Sequence, residues 1–317
     1  MRKEVEKAAR VLLSMQRMAW EQGLAAQAFF ECGDPLTGTL MVDEAIHRTH
    51  NKLMGAVYTA SDSVDCGSNG LPAWYAWKYT GNESYRKAVC DMADWYRWSA
   101  PKTADGQIIH DRKGSRTMID GIYHLVPVLI LGGYPDYAVE QIRLFHARHY
   151  DQKSGLYRQV WNEGTRSFER ADLWGGGQGW MACAIALACR FLPAEKKEYC
   201  SELSVMLNRL IDSMEKYLRK DGMFHDVMDD PSTFPEVTAG LMLTYSVYVG
   251  IAEKAVPAER KELADRILQL VSEHVDENGY VNDACASPYF NYCGHSAEAQ
   301  AFFMLCMAEK EKLEEAL

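Results

Sequence analysis

Residues 175–188 read GGGQGWMACAIALA, and this stretch decides the fold class. Three glycines stand in a row at its start, and Ala, Gly and Cys fill most of the other positions. The stretch has no polar stripe, so a helix formed here is able to contact other helices on all sides. Such a helix belongs in the interior of a helical protein.

Five further stretches rich in small residues share this character. The six begin near Trp20, Gly67, Asp120, Gly176, Glu236 and His295. More charged helices are expected between them at residues 42–54, 83–98, 136–149, 195–219 and 257–274, with one more at the N-terminus. Two-residue alternation is nearly absent. The pattern predicts an all-α fold, an (α/α)6 barrel of six helical hairpins, although a linear solenoid of the same hairpins would have the same pattern.

A loose internal repeat supports this architecture. Turns recur at Asp105-Gly106, Ser154-Gly155, Asp221-Gly222 and Asn278-Gly279, each followed by apolar or aromatic residues. Repeats at such spacing indicate repeated supersecondary units. No linker interrupts the chain, so we expect residues 1–317 to form a single domain.

Composition limits the classes of partner. The net charge of −10 argues against nucleic acid and anionic membranes, since both attract basic proteins. The first 20 residues form a charged amphipathic pattern without an apolar leader, and no apolar run has the length of a membrane span. Nine cysteines without a C-x-x-C pair are typical of reduced thiols. We therefore expect a cytoplasmic protein with neither nucleic acid nor membrane as partner, and the oligomeric state stays open.

The N-terminal ends of the inner helices are the expected place for a site. In a barrel all six inner helices run the same way, so these ends open on one face. Asp65 and Asp120 each precede an inner helix, where a lone aspartate is typical of an N-cap. Two carboxyl groups on one rim also suit acid and base catalysis on a sugar, if one of them holds a proton near neutral pH. Both interpretations stay open.

Other polar residues at this rim have plainer interpretations. Four more acids, which we expect to cap helices or to face solvent, are Glu21, Asp172, Glu236 and Glu298. His124 follows Asp120 by four residues and therefore shares its helix face. It would either orient that carboxyl group or serve as a core histidine.

Aromatic residues suggest the kind of ligand. Trp20, Trp174 and Trp180 stand at the predicted rims, where they would stack on sugar rings or fill a wide barrel. The histidine pairs His47/His50 and His146/His149 fall on outer helices, where we expect surface positions and no metal. The motif WGGGQG lacks the Lys-Ser/Thr end of a phosphate loop, so no cofactor is expected.

Taken together, the motifs resemble those of a known family. MIDGIYHLVPVL (residues 118–129), HYDQKSGLYRQVWNE (149–163), DLWGGGQGW (172–180) and GHSAEAQAFFML (294–305) occur in the order found in the unsaturated glycuronyl hydrolases of glycoside hydrolase families 105 and 88. Residues 20–34 and 69–89 extend the resemblance, which covers nearly the whole chain.

The resemblance implies an (α/α)6 barrel and a particular reaction. Enzymes of this family hydrate the C4=C5 double bond of the unsaturated uronic acid that lyases leave at the non-reducing end of oligosaccharides. The positions that match the family motifs assign Asp120 as general acid/base and Asp65 as the second active-site aspartate, with no metal. Six residues would contact the sugar: Trp20, His124, Gln159, Trp174, Gln178 and Trp180.

The chain departs from the family at two positions. Gly176 or Gly177 replaces an arginine associated with substrate binding, and Gln159 stands where a histidine is common. Both changes remove donors that suit an anionic sugar. Three arginines are available to compensate: Arg116, Arg158 and Arg170. Two alternatives therefore stay open, a glycosidase acting on a saturated glycoside and a non-catalytic sugar-binding relative.

Overall fold

The computed structural model describes residues 3–56, 64–287 and 289–316. This part of the chain contains twelve α-helices that alternate between two layers. The inner helices are α2 (Ala19–Glu31), α4 (Gly70–Thr80), α6 (Gly121–Leu131), α8 (Gly175–Phe191), α10 (Thr238–Ala252) and α12 (Ala297–Ala316). The outer helices are α1 (Lys3–Met15), α3 (Pro35–His47), α5 (Glu83–Trp98), α7 (Pro135–His149), α9 (Tyr199–Glu215) and α11 (Lys261–Ser272).

The inner helices form a closed ring. Helix α12 packs against both α10 and α2, so the last hairpin meets the first. Side chains also meet on the axis: the ring of Phe302 lies 5.5 Å from that of Trp180 and 5.8 Å from that of Tyr245. Gln27 donates a hydrogen bond to the Tyr245 hydroxyl at 3.2 Å and accepts one from Tyr123 at 2.7 Å. A linear solenoid would not bring these residues together, so the barrel prediction is confirmed.

Small residues set the spacing of the inner helices, as the sequence predicted. Every residue of α8 from Gly175 to Cys189 is buried. A Cβ atom at Gly179 would lie 2.5 Å from the Cβ of Met242 on α10. Only glycine permits this approach, because real Cβ atoms do not come so close.

The prediction of a helix at residues 42–54 is wrong, since α3 runs from Pro35 to His47. The side chain of Asp34 accepts a hydrogen bond from the Thr37 backbone N–H at 3.1 Å, and Pro35 occupies the first helical position. Both are established N-terminal signals of helices. The helix therefore starts at its cap and ends seven residues before the predicted end.

The four repeat turns share one backbone geometry, and three of them are attached to a helix by a glutamine side chain. The turn glycines Gly106, Gly155, Gly222 and Gly279 have φ values of +97°, +75°, +80° and +99°. Two residues after three of them, a backbone N–H donates to a glutamine side chain at 2.7–3.1 Å: Ile108 to Gln141, Tyr157 to Gln178 and Val281 to Gln300. Each glutamine amide also donates back to a carbonyl of the same turn. The repeats are thus fastened to helices by buried amide groups.

Short antiparallel strands shape the loops that precede the inner helices. A three-stranded sheet consists of β1 (Arg116–Met118), β4 (Val160–Asn162) and β5 (Ser167–Arg170). The remaining strands pair as β2 (Tyr150–Asp151) with β3 (Leu156–Tyr157), β6 (Phe224–His225) with β7 (Pro235–Glu236), and β8 (Ala284–Cys285) with β9 (Cys293–Gly294). Within the described ranges, no helix has the length and apolar character needed to cross a lipid bilayer.

Candidate active site

A cavity of about 300 Å³ opens where the N-terminal ends of the inner helices converge. Seven of the predicted site residues line it: Trp20, Asp65, Asp120, His124, Gln159, Trp174 and Trp180. Gln178 is the one predicted site residue that does not. The fold therefore brings together side chains that are separated by up to 160 residues in the sequence.

Asp120 directly precedes α6 but does not cap it. Its backbone is already helical, with φ −62° and ψ −31°, and its side chain makes no cap hydrogen bond. The Oδ1 atom is buried and has no hydrogen-bond partner in the described residues. Burial raises the pKa of this carboxyl group to about 6; the charge of Asp65 also raises it, while His110 opposes the shift. Asp120 thus holds a proton at mildly acidic pH.

Asp65 has the opposite electrostatic setting. It begins a short 3₁₀ turn, Asp65–Asn69, and its Oδ1 lies 3.2 Å from Nε2 of His110. Burial favours a raised pKa, but the charge and hydrogen bond of His110, together with His124, bring the pKa of Asp65 below its ordinary value. Two neighbouring carboxyl groups whose pKa values are driven apart are the usual basis of an acid and base pair.

His110 is a site residue that the sequence analysis missed. It lies in the loop between α5 and β1, and its side chain is buried in the cavity wall. The available signal was its place four residues after the repeat turn at Gly106, on the approach to the mouth of the barrel. Without the fold, nothing in the loop links His110 to Asp65, which is 45 residues earlier in the chain.

His124 lies on α6 one turn after Asp120, and no hydrogen bond between the two is found among the described residues. Its ring is 5.3 Å from that of Trp180, and its Nδ1 is buried without a partner in this part of the chain. Burial lowers the pKa of His124 to about 4; His110 acts in the same direction and Asp65 against it. His124 is therefore neutral at physiological pH and offers a hydrogen bond to a ligand.

Glu298 is a third acid of the cavity, contrary to its predicted capping or solvent-facing position. It accepts hydrogen bonds from Trp20 Nε1 and from Ser287 Oγ, the latter at 3.3 Å. Burial, and then the charge of Glu21, raise its pKa to about 7. The tryptophan Trp20 is thereby held at the cavity wall by a buried carboxyl group.

The other three rim acids have the predicted plain roles. Glu21 accepts hydrogen bonds from the backbone N–H groups of Arg17 and Met18 at 2.6 and 2.9 Å, before α2. Glu236 accepts from the backbone N–H groups of Thr238 and Ala239 at the start of α10. Asp172 is solvent-exposed.

Gln178 is corrected to a structural residue. Its side chain is fully buried, and its Oε1 accepts a hydrogen bond from the Tyr157 N–H at 2.7 Å. Its amide donates to the carbonyl groups of Tyr157 at 2.7 Å and Trp174 at 3.0 Å. The polar atoms are thus committed to the repeat turn, and none is left for a sugar. The matching roles of Gln141 and Gln300 were the signal that sequence reasoning overlooked.

The predicted surface position of the histidine pairs holds for His47 and His50 but is wrong for His149. His149 is buried and forms two hydrogen bonds, one between its Nε2 and the Thr117 hydroxyl at 3.0 Å and one between its Nδ1 and the Arg158 carbonyl at 2.9 Å. Burial lowers its pKa to about 4. It therefore fastens the three-stranded sheet to α7. No group of three or more His, Cys, Asp or Glu side chains suited to a metal occurs in the residues that the structure describes.

The glycines after Trp174 leave no room for the arginine that the family resemblance implies at Gly176 or Gly177. A Cβ atom at Gly176 would lie 2.6 Å from Cζ2 of Trp174, and one at Gly177 would lie 2.6 Å from Cγ2 of Ile119. The ring of Trp174 therefore covers Gly176 at the cavity wall. Of the arginines considered as replacements, Arg116 and Arg170 line the cavity. Arg158 instead pairs with Asp151 at 2.9 Å in a separate cleft.

Comparison with known proteins shows the family of the chain. The model of the family described as glycosyl hydrolase family 88 matches residues 2–313. The unsaturated rhamnogalacturonyl hydrolase YesR of Bacillus subtilis is 21% identical over 216 residues, and the match spans 62% of this chain and 62% of that relative's length.

Solved structures share the fold at low sequence identity. A possible member of glycoside hydrolase family 105 from Klebsiella pneumoniae has a TM-score of 0.82 at 16% identity, covering 99% of this chain and 93% of that one. The unsaturated glucuronyl hydrolase of Bacillus sp. GL1 has a TM-score of 0.74 at 15% identity, covering 98% and 95%.

Proposed function

This chain belongs to glycosyl hydrolase family 88, and we propose that it releases a 4,5-unsaturated uronic acid from the non-reducing end of lyase-generated oligosaccharides. The observation that carries the proposal is the Asp120 carboxyl group. It lies in a cavity beside Asp65, its Oδ1 has no partner among the described residues, and its pKa is raised to about 6. A carboxyl group prepared in this way serves as a proton donor near neutral pH.

The proposed reaction hydrates the C4=C5 double bond. Asp120 donates its proton to C4, and the positive charge that forms at C5 is shared with the ring oxygen. A water molecule then adds to C5 and gives a proton back to the Asp120 carboxylate. The resulting hemiketal opens to a ketone at C5, and the hemiacetal left at C1 collapses to release the leaving sugar as an alcohol.

The neighbours of Asp120 support this sequence of steps. The pKa of Asp65 is lowered, so its carboxylate is ionised and stabilises the cation that forms at C5. Neutral His124 and the Oε1 of Gln159, which has no partner in the described part of the chain, are available for sugar hydroxyl groups. Trp20, Trp174 and Trp180 provide aromatic surface for the sugar ring.

The direct test incubates the protein with a panel of lyase-generated disaccharides and follows the ultraviolet absorbance of the conjugated double bond. We expect absorbance to fall with wild-type protein, and Asp120→Asn to lose at least about 10³-fold in kcat with most binding retained. The matched control is Asp212→Asn, which removes an aspartate on an outer helix that is paired with Arg260. A panel that loses no more absorbance with wild type than with Asp120→Asn contradicts the proposal. Cleavage of saturated glycosides instead would identify a two-carboxylate glycosidase.

A further inference from the structure

The charges that line the cavity raise a question about substrate recognition. Three carboxyl groups face it, those of Asp65, Asp120 and Glu298. A uronic acid adds a further negative charge, which a cavity of this kind repels unless a cation compensates. In the described residues, the arginines that line the cavity are Arg116 and Arg170.

Arg116 is already committed to a protein carboxylate. Its Nε and Nη2 atoms donate to the two oxygens of Asp111 at 2.8 and 2.7 Å. The Asp111 side chain is buried; burial favours a raised pKa, but the hydrogen bonds and charge of Arg116 bring it below its ordinary value. This bidentate pair neutralises the guanidinium group, so Arg116 serves to position β1 more than to attract an anion.

Arg170, in contrast, makes only one ion pair, which is solvent-exposed, in the described part of the chain. Arg170 is the last residue of β5 and is paired across the sheet with Val160 of β4. Val160 is paired in turn with Met118 of β1, which lines the cavity. Its Nε lies 3.4 Å from Asp172 Oδ2, and both side chains are nearly half exposed, at 45% and 46%. Such a pair is weak. In the described part of the chain, no hydrogen bond involves its two Nη groups, which form the edge of the guanidinium suited to a carboxylate.

The start of α8 reinforces this assignment. Gly176 lines the cavity without a side chain, and the Trp174 ring occupies the space that a Cβ atom would need. A cation therefore has no place on the first turn of α8. Arg170 reaches the same cavity from the adjoining strand, six residues earlier in the chain.

We propose that Arg170 binds the carboxylate of the terminal uronate through its Nη edge and makes the protein selective for acidic over neutral sugars. This inference rests on the proposed function. Asp172 lies on the Nε side of the guanidinium, which leaves the opposite edge open to the ligand.

The test compares an unsaturated uronyl disaccharide with its methyl ester, which is neutral at C6. With Arg170→Gln we expect KM for the acid to rise about 10- to 100-fold, KM for the ester to stay within about twofold, and kcat to change less than KM. Arg170→Lys should recover part of the loss, because it restores the charge but not the fork. The matched control is Arg158→Gln, which removes a nearby arginine outside the cavity. The ratio of kcat/KM for acid to ester should be unchanged in that variant.

Calorimetric titration of both disaccharides into the Asp120→Asn protein, with and without Arg170→Gln, separates the two proposals. Turnover with an acid-to-ester ratio independent of Arg170 overturns the inference and leaves the proposed function standing. Acid-selective binding that depends on Arg170, without turnover by wild type, overturns the proposed function and supports the inference. A ratio that falls in Arg116→Gln but not in Arg170→Gln, or no binding of either sugar, also overturns the inference.

Discussion

The two ends of the barrel treat buried polar groups in opposite ways. At the end near the C-terminal ends of the inner helices, here called the closed end, a network of buried charged side chains is paired. Arg190 Nε donates to Glu253 at 3.0 Å and its Nη2 to Glu309, while the Tyr245 hydroxyl donates to Glu31 at 3.1 Å. At the open end, Asp120 Oδ1, His124 Nδ1 and Gln159 Oε1 are buried without partners in the described residues.

This difference distinguishes polar groups that stabilise the fold from polar groups that are placed to bind a ligand. A buried donor or acceptor without a partner costs about 1 to 3 kcal/mol, so several of them in one cavity indicate a place where water or a ligand supplies the missing hydrogen bonds. At the closed end the charged groups of Arg190, Glu253 and Glu309 satisfy one another. The same helices therefore carry a stabilising network at one end and a site prepared for ligand at the other.

The largest expected effect on stability comes from breaking the closed end. Arg190→Met removes the nearer cation of Glu309, which is 2% exposed and keeps Lys312 at 3.4 Å. We expect the free energy of unfolding to fall by about 3 to 5 kcal/mol. The activity of the protein that remains folded should be retained. Urea unfolding and initial rates on the folded fraction measure the two quantities.

The control for Arg190→Met is Arg260→Met, which removes an arginine that pairs with Asp212 and Glu215 on the exposed outer layer. The free energy of unfolding of this variant should fall by no more than about 1 kcal/mol. Equal losses in the two variants would mean that the closed end is not a special stabilising network.

Two glutamines allow the comparison to be made within one residue type. Gln178 bonds three backbone groups, whereas Gln159 lines the cavity with Oε1 unpaired. We expect Gln178→Ala to lower the free energy of unfolding by about 2 to 3 kcal/mol without changing KM of the folded protein. Gln159→Ala should change stability by less than about 1 kcal/mol and raise KM. If the two variants exchange these effects, the assignment of Gln178 as structural is wrong.

At the open end, Asp120→Asn should increase the free energy of unfolding of the protein. The pKa of Asp120 is about 6 in the folded protein and about 3.9 in an unfolded chain, so above pH 6 both states are ionised and only the folded state bears the cost of the buried charge. Below about pH 4 both states are protonated and the cost disappears. The free energy of unfolding of the variant should therefore exceed that of wild type by roughly 1 to 3 kcal/mol at pH 8, and this difference should decrease toward pH 4. Urea unfolding at the two pH values measures it, and a loss at pH 8 would contradict the comparison.

The sequence predicted the inner layer of helices because burial on all sides is a property of composition, whereas closure of the ring was favoured by the resemblance to the family. Helix α8 needs no distant information: its small residues alone place it inside. The ends of helices depend on single residues, and α3 was misplaced because the Asp34 cap and Pro35 were overlooked. The repeat turns at Gly106 and Gly279 were found because a positive φ favours glycine.

The site was predicted in part, for a related reason. Asp65 and Asp120 precede the inner helices α4 and α6. Because all inner helices run the same way, residues before them lie on one face of the barrel, and this position could be predicted. His110 and the place of Arg170 depend on loops shaped by strands of two to four residues, which are too short to show periodicity. The burial of His149 likewise follows from its contact with Thr117, a strand residue 32 positions earlier.

The smallest expected effect is the pH dependence of the rate, and it tests which open-end acid donates the proton. Only the protonated form of Asp120 is competent in the proposed reaction, and its pKa is about 6. Above that pH, kcat/KM should fall about tenfold per pH unit. Glu298 also lines the cavity, and its pKa is raised to about 7, so it would produce a similar decline with a higher midpoint. In Glu298→Gln the rate should persist and the decline should keep its midpoint near pH 6 because Asp120 is intact. Loss of the rate at every pH in that variant, with the rate retained in Asp120→Asn, would identify Glu298 as the proton donor.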